Sequence, residues 1–110
     1  MDEVKGFEAG RNRRTSRVKY DVLVELKDER FAYAGETVVV NLHGALIRSS
    51  AALDLGSPVI IHVQQTGKAA PAKVVFASYD RPTHYGVELE SPDNIWGITD
   101  APPDWQVYLN

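Results

Sequence analysis

From Val18 to Leu26 apolar and polar positions alternate. Val18, Tyr20, Val22, Val24 and Leu26 share one face, and Lys19, Asp21, Leu23 and Glu25 share the other. A period of two, filled with β-branched and aromatic residues, predicts a half-buried strand. Lys27-Asp28-Glu29-Arg30 then reads as a polar connection. Thr37 to Leu42 carries a continuous apolar run through Val38, Val39 and Val40. A second run, Ala45-Leu46-Ile47, follows Gly44. Glycine between two apolar runs predicts a tight turn or bulge with positive φ, and so a hairpin with Asn41, Leu42, His43 and Gly44 at its tip.

Ser49 to Pro58 is rich in turn formers and reads as a loop. Val59, Ile61 and Val63 alternate with Ile60, His62 and Gln64 in a fourth strand, and Gln65-Thr66-Gly67-Lys68 is a turn. Lys73 to Tyr79 forms a fifth strand, with Val74 and Phe76 expected on one face and Val75 and Ala77 on the other. After a turn at Asp80-Arg81-Pro82, His84 to Glu90 forms a sixth with Tyr85, Val87 and Leu89 inward. Ser91-Pro92-Asp93 looks like a helix start, with Ser91 as N-cap and Pro92 at the first helical position. Gly97 limits it to about one turn, and Pro102-Pro103 stops any continuation. Trp96 and Trp105 are expected to cover an open end of the core.

Six short strands separated by turn signals predict an all-β, antiparallel fold, and periodicity alone does not separate a barrel from a sandwich. The 110 residues suit one domain, expected over 18–110, preceded by a flexible basic arm over 1–17. Without cysteine there is no disulfide framework and no thiolate zinc site. No apolar run is long enough to span a membrane, and the acidic start, Met1-Asp2-Glu3, lacks the apolar stretch of a signal peptide, so a cytoplasmic location is expected.

Charge changes the picture more than composition does. The net charge is -3, yet residues 1–20 carry six cations against three anions, which leaves the rest of the chain at -6. A basic arm on an acidic body is poorly suited to nucleic acid, which needs a broad positive surface, and suits a small anion held locally. Four of the cations stand in Arg11-Asn12-Arg13-Arg14-Thr15-Ser16-Arg17. A guanidinium offers a rigid fork of donors that matches phosphate oxygens in pairs, and it stacks on flat rings. The run reads either as a clasp for an anion or nucleotide or as a solvated basic tail.

Arg13-Arg14-Thr15-Ser16-Arg17 resembles the RxxxR motif of the PilZ domain family, which lies on an N-terminal arm immediately before the first strand. That family carries a second motif, D/NxSxxG, on the next hairpin, and Gly44-Ala45-Leu46-Ile47 is similar to its final glycine and the strand that follows. The strand order and Tyr85-Gly86-Val87-Glu88-Leu89 are also PilZ-like. The resemblance implies a six-stranded antiparallel β-barrel that binds cyclic di-GMP, to which the Ser91-Pro92-Asp93 signal adds a short C-terminal helical turn. It assigns Arg13 and Arg17 to phosphates and guanines, Arg14 to an assisting role, and Asn41 and Gly44 to the hairpin side of the site.

The second motif departs from the pattern. Anchored on Gly44, it has Val39 in place of the acid or amide and Asn41 in place of serine. The other register, with Asn41 and His43 as the polar pair, puts Leu46 at the glycine. The glycine-anchored register is preferred here, since glycine takes a positive φ without strain. Val39 offers no hydrogen bond to a base, while the Asn41 amide both donates and accepts. This departure favours the alternative of a PilZ-like adaptor that meets a protein partner without the nucleotide.

His43, His62 and His84, at spacings of 19 and 22, match no metal-ligand pattern. Asp93, Asp100 and Asp104 flank turn residues and read as caps and solvated loops. No GxSxG, HExxH or phosphate-loop pattern occurs, so an enzyme is not expected.

Overall fold

The computed structural model describes residues 15–106. Seven antiparallel strands, β1 (Val18–Lys19), β2 (Leu23–Lys27), β3 (Ala32–Asn41), β4 (Gly44–Ser49), β5 (Pro58–Val63), β6 (Ala69–Ser78) and β7 (His84–Leu89), form one sheet. The order β3-β2-β5-β6-β7-β4 closes on itself through β3–β4 pairing, which makes a barrel. β1 and β2 lie along the same edge of β3, Val18 opposite Val40 and Leu23 opposite Glu36, so they are two pieces of one interrupted stave. The barrel therefore has six staves, as the alternation implies.

The interruption has a definite cause. β3 carries a bulge between Thr37 and Val39, which shifts the register beside it. The buried Thr37 hydroxyl fills the gap: it accepts from the Val22 N–H at 2.9 Å and donates to the Tyr20 carbonyl at 2.5 Å. Thr37→Val keeps the shape but strands both backbone groups, each of which costs ~1–3 kcal/mol when left unpaired in the interior. Thermal unfolding should show a lower melting temperature for Thr37→Val; an unchanged one would mean the gap is bridged by other groups.

The alternation expected of the first strand holds, because Val22, Val24 and Leu26 are all buried in the main core. β3 begins earlier than the apolar run suggests. Ala32-Tyr33-Ala34-Gly35-Glu36 pairs with β2 although its composition is a weak strand signal. The polar connection before it is tied by Asp28, whose carboxylate accepts from the Arg30 and Phe31 N–H groups at 2.8 and 2.7 Å. Those two bonds hold the carboxyl below its usual range.

Phe76 corrects the expected facing of the fifth strand. A bulge between Val74 and Phe76 puts Val74 in the main core and turns Phe76 to the opposite face. There Val39, Leu46, Gly86 and Phe76 stand opposite one another in turn across β3, β4, β7 and β6. Gly86 has no side chain, and Phe76 packs with Val38, Val39 and Leu46 in a small cluster separate from the main core. Val39 thus faces away from the barrel interior.

Two segments close the ends. At one end Ala51 and Leu53 are buried, pinned by the Tyr85 hydroxyl, which donates to the Ala51 carbonyl at 2.6 Å and accepts from the Leu53 N–H at 3.1 Å. At the other end Ile95, Trp96 and Trp105 are fully buried, so the tryptophans do cover an open end of the core.

The helix expected at Ser91 is absent. The Glu90 and Asp93 N–H groups donate instead to the Pro71 and Leu42 carbonyls. The Asn94 side chain closes a compact loop by bonding both the N–H and the carbonyl of Ile98. The only helical turn among the described residues is a 3₁₀ turn at Pro103–Trp105. The Pro102-Pro103 pair starts this turn rather than stopping one, since proline's fixed φ suits the first helical position.

Candidate functional site

The hairpin tip is built by side chains that satisfy backbone groups. Asn41 and Gly44 pair at the end of β3 and β4, with Leu42 and His43 as the turn. Asn41 Oδ1 accepts from the His43 N–H at 2.7 Å, a local bond that fixes the turn. Asn41 is buried, so its side chain first shapes the hairpin.

Gly44 is needed for a reason other than the expected one. Its φ is not positive; among the described residues only Gly56, Gly67 and Gly97 have that conformation. A Cβ at Gly44 would instead lie 2.0 Å from the Val87 carbonyl oxygen and 3.2 Å from Glu88 Cα. Glycine stands here because β7 passes too close for any side chain.

Thr15, Ser16 and Arg17, placed on the arm from sequence, run along this hairpin. The buried Thr15 hydroxyl accepts from the Leu42 N–H at 3.3 Å and lies 3.3 Å from His43 Nδ1. The Ser16 N–H and hydroxyl both donate to Asp104 Oδ2, at 2.8 and 3.0 Å. The Trp105 indole donates to the Ser16 carbonyl at 2.9 Å, and the Trp96 indole donates to the Asn41 carbonyl at 2.8 Å. Arg17, half-buried, leads directly into β1. The arm's root and the hairpin tip are therefore brought together, 28 residues apart in sequence, at one end of the barrel. Arg13 and Arg14, the other arginines assigned by the motif, lie outside the described residues, as does the arm over 1–14.

Sequence reasoning missed Thr15 and Asp104. Asp104 reads as a solvated cap, yet it is half-buried and reaches across 88 positions to Ser16. No local spacing signals such a contact. The histidines are spread over different elements, His43 at the tip, His62 on β5 and His84 on β7. Among the described residues no group of three or more His, Asp or Glu is placed to hold a metal ion.

The outer face of β3, β4, β6 and β7 carries a second feature, a cavity of about 390 Å³ lined by Val38, Leu46, Phe76, Arg48, Arg81 and His84 among others. Arg48 is engaged there, since its Nε and Nη2 donate to Glu36 Oε1 at 3.1 and 2.5 Å. Arg48 holds the Glu36 carboxyl below its usual range, and the hydrogen bond to Glu36 raises that of Asp21.

The sequence matches the PilZ domain over residues 11–95, which takes in the end of the arm, the hairpin and every strand. The chain belongs to the PilZ domain family. The fold is also similar to the crystal structure of the PilZ domain of CeSA from a cellulose-synthesizing bacterium, with a TM-score of 0.55 and 20% identity, covering 74% of this chain and 86% of that one. A comparison with curated proteins finds no match. PilZ domains are non-catalytic receptor and adaptor domains, and this one brings Thr15, from its first motif, to the same hairpin as Gly44. No helix among the described residues is long and apolar enough to cross a membrane.

Proposed function

We propose that this PilZ domain is a cytoplasmic receptor for cyclic di-GMP that passes the signal to a protein partner. Arg13, Arg14 and Arg17 clasp the phosphates and stack on the guanines, and the hairpin built by Asn41 and Gly44 forms the facing wall. The observation that carries this reading is the Thr15 hydroxyl, which ties the arginine-bearing segment to the Leu42 N–H at the hairpin tip. A bond at that point holds Thr15 and the chain leading into Arg17 beside the hairpin without a ligand, which supports a lower ordering cost, at ~1–2 kcal/mol per backbone residue, when a ligand binds.

Titration calorimetry with cyclic di-GMP tests the reading. Arg17→Ala should remove most of the binding while leaving the domain folded. Each charge-assisted hydrogen bond lost is worth ~1.5–3 kcal/mol, roughly ten- to a hundredfold in affinity. Wild-type binding should also weaken as salt rises. Equal heats for the two proteins would remove Arg17 from the ligand site.

A second reading is supported by Val39. It offers no hydrogen bond and is buried with Leu46 in the outer apolar cluster. On this reading the domain is a ligand-free adaptor, and the outer face of β3, β4, β6 and β7 meets the partner. A wild-type protein that gives no heat with cyclic di-GMP selects this reading.

A further inference from the structure

The C-terminal segment grips both halves of the site at once. Trp96 donates to Asn41 on the hairpin, while Trp105 and Asp104 together take the carbonyl, the N–H and the hydroxyl of Ser16 on the arm. Both indoles are fully buried, so their ring positions are set by the core. Asp104 Oδ1 is buried and has no hydrogen-bond partner among the described residues. A carboxylate held at that cost is not a solvated loop residue, because buried polar atoms are normally paired. The segment includes Pro102 and Pro103, whose fixed φ angles hold Asp104 and Trp105 in place.

We propose that Asp104 is a positioning residue of the ligand site. Through one oxygen it holds Ser16, the residue immediately before Arg17, and so fixes the backbone that carries Arg17 into β1. Trp105 holds the same residue from its carbonyl side. With Trp96 on the hairpin, the C-terminal segment sets the separation between Ser16 and the Asn41 side of the tip. This inference rests on the cyclic di-GMP reading above.

What the site needs from Asp104 is an acceptor at a fixed point, so an amide oxygen serves nearly as well as a carboxylate. Asp104→Ala releases Ser16, and the ligand must then order the root of the arm itself. Ordering one or two backbone residues corresponds to a loss on the order of ten- to a hundredfold in affinity.

The test is titration calorimetry of wild type, Asp104→Ala and Asp104→Asn with cyclic di-GMP, alongside amide hydrogen exchange at Ser16 and Arg17 in the free proteins. The expected result is weak binding and fast exchange in Asp104→Ala, with Asp104→Asn close to wild type in both. Tighter binding in both variants overturns the proposal, since the carboxylate would then be opposing the ligand's charge. Equal losses in both also overturn it, because the charge rather than the acceptor would be required. A lower melting temperature with unchanged affinity in Asp104→Ala assigns the residue to stability alone. No heat with wild type overturns the receptor reading and this inference with it, whereas normal wild-type binding matched by Asp104→Ala overturns this inference alone.

Discussion

Gly44→Ala should destabilise the domain by about 3 kcal/mol, the upper part of the usual range for an overpacked interior. The added Cβ would stand 2.0 Å from the Val87 carbonyl oxygen, and its next neighbours are the Val87 carbonyl carbon and Glu88 Cα. All three are backbone atoms, so no side chain can rotate aside. The β4–β7 ladder must part where Gly44 faces Glu88 and Ala45 faces Val87. The Leu89 N–H bond to the His43 carbonyl lies next to that point, so the hairpin tip moves with it. At ~4–8 °C per kcal/mol for a domain of this size, the melting temperature should fall on the order of 15 °C. Gly56→Ala is the control. Its φ is +85° but nothing lies within 4 Å of the new Cβ, so it should cost only about 1 kcal/mol of backbone strain. If Gly44→Ala were no worse than Gly56→Ala, close approach would not be the reason for the glycine.

Trp96→Ala is the second large expected effect. The ring is fully buried at the end of the barrel, and its indole N–H donates to the Asn41 carbonyl at 2.8 Å. Removing a buried tryptophan side chain costs ~3–5 kcal/mol, a large share of the ~5–15 kcal/mol that holds a typical domain together. Trp96→Phe separates the two roles, since it keeps most of the apolar volume and loses the hydrogen bond. It should cost ~1–3 kcal/mol for the stranded carbonyl and leave a folded barrel with a looser hairpin. Chemical denaturation of both variants checks this order. A loss below about 1 kcal/mol for Trp96→Ala would contradict the role of Trp96 as a plug, since truncating a buried aromatic normally costs several times more.

The parts of this fold that were legible in the sequence are those set by the two-residue period. Val22, Val24 and Leu26 on β2, and Tyr85, Val87 and Leu89 on β7, fall inward as their alternation requires. The errors arise where an inserted residue breaks that period. Phe76 follows a bulge and turns outward, and Thr37 precedes one and splits the first stave in two. A bulge depends on the neighbouring strand, so no window of one strand reveals it. The helix expected at Ser91 fails for a similar reason, because the Asp93 N–H is taken by Leu42 from a distant part of the chain.

The candidate site divides along the same line. The arginine run and the hairpin glycine were visible as local patterns, although Gly44 was chosen for a positive φ and is required by the passage of β7. Thr15 and Asp104 gave no signal, since each matters only through a partner 27 or more positions away. The Thr15 bond places the arm's root beside the hairpin, and the proposed clasp rests on that placement.

Amide and indole chemical-shift mapping during a titration with cyclic di-GMP tests the central claim most directly. The expected result is a saturable set of shifts confined to residues 13–17, the Asn41–Gly44 tip and the indole N–H signals of Trp96 and Trp105, with β5 undisturbed. Shifts centred instead on Val38, Phe76 and His84, or no shifts at all, would contradict a ligand held between the arm and the hairpin.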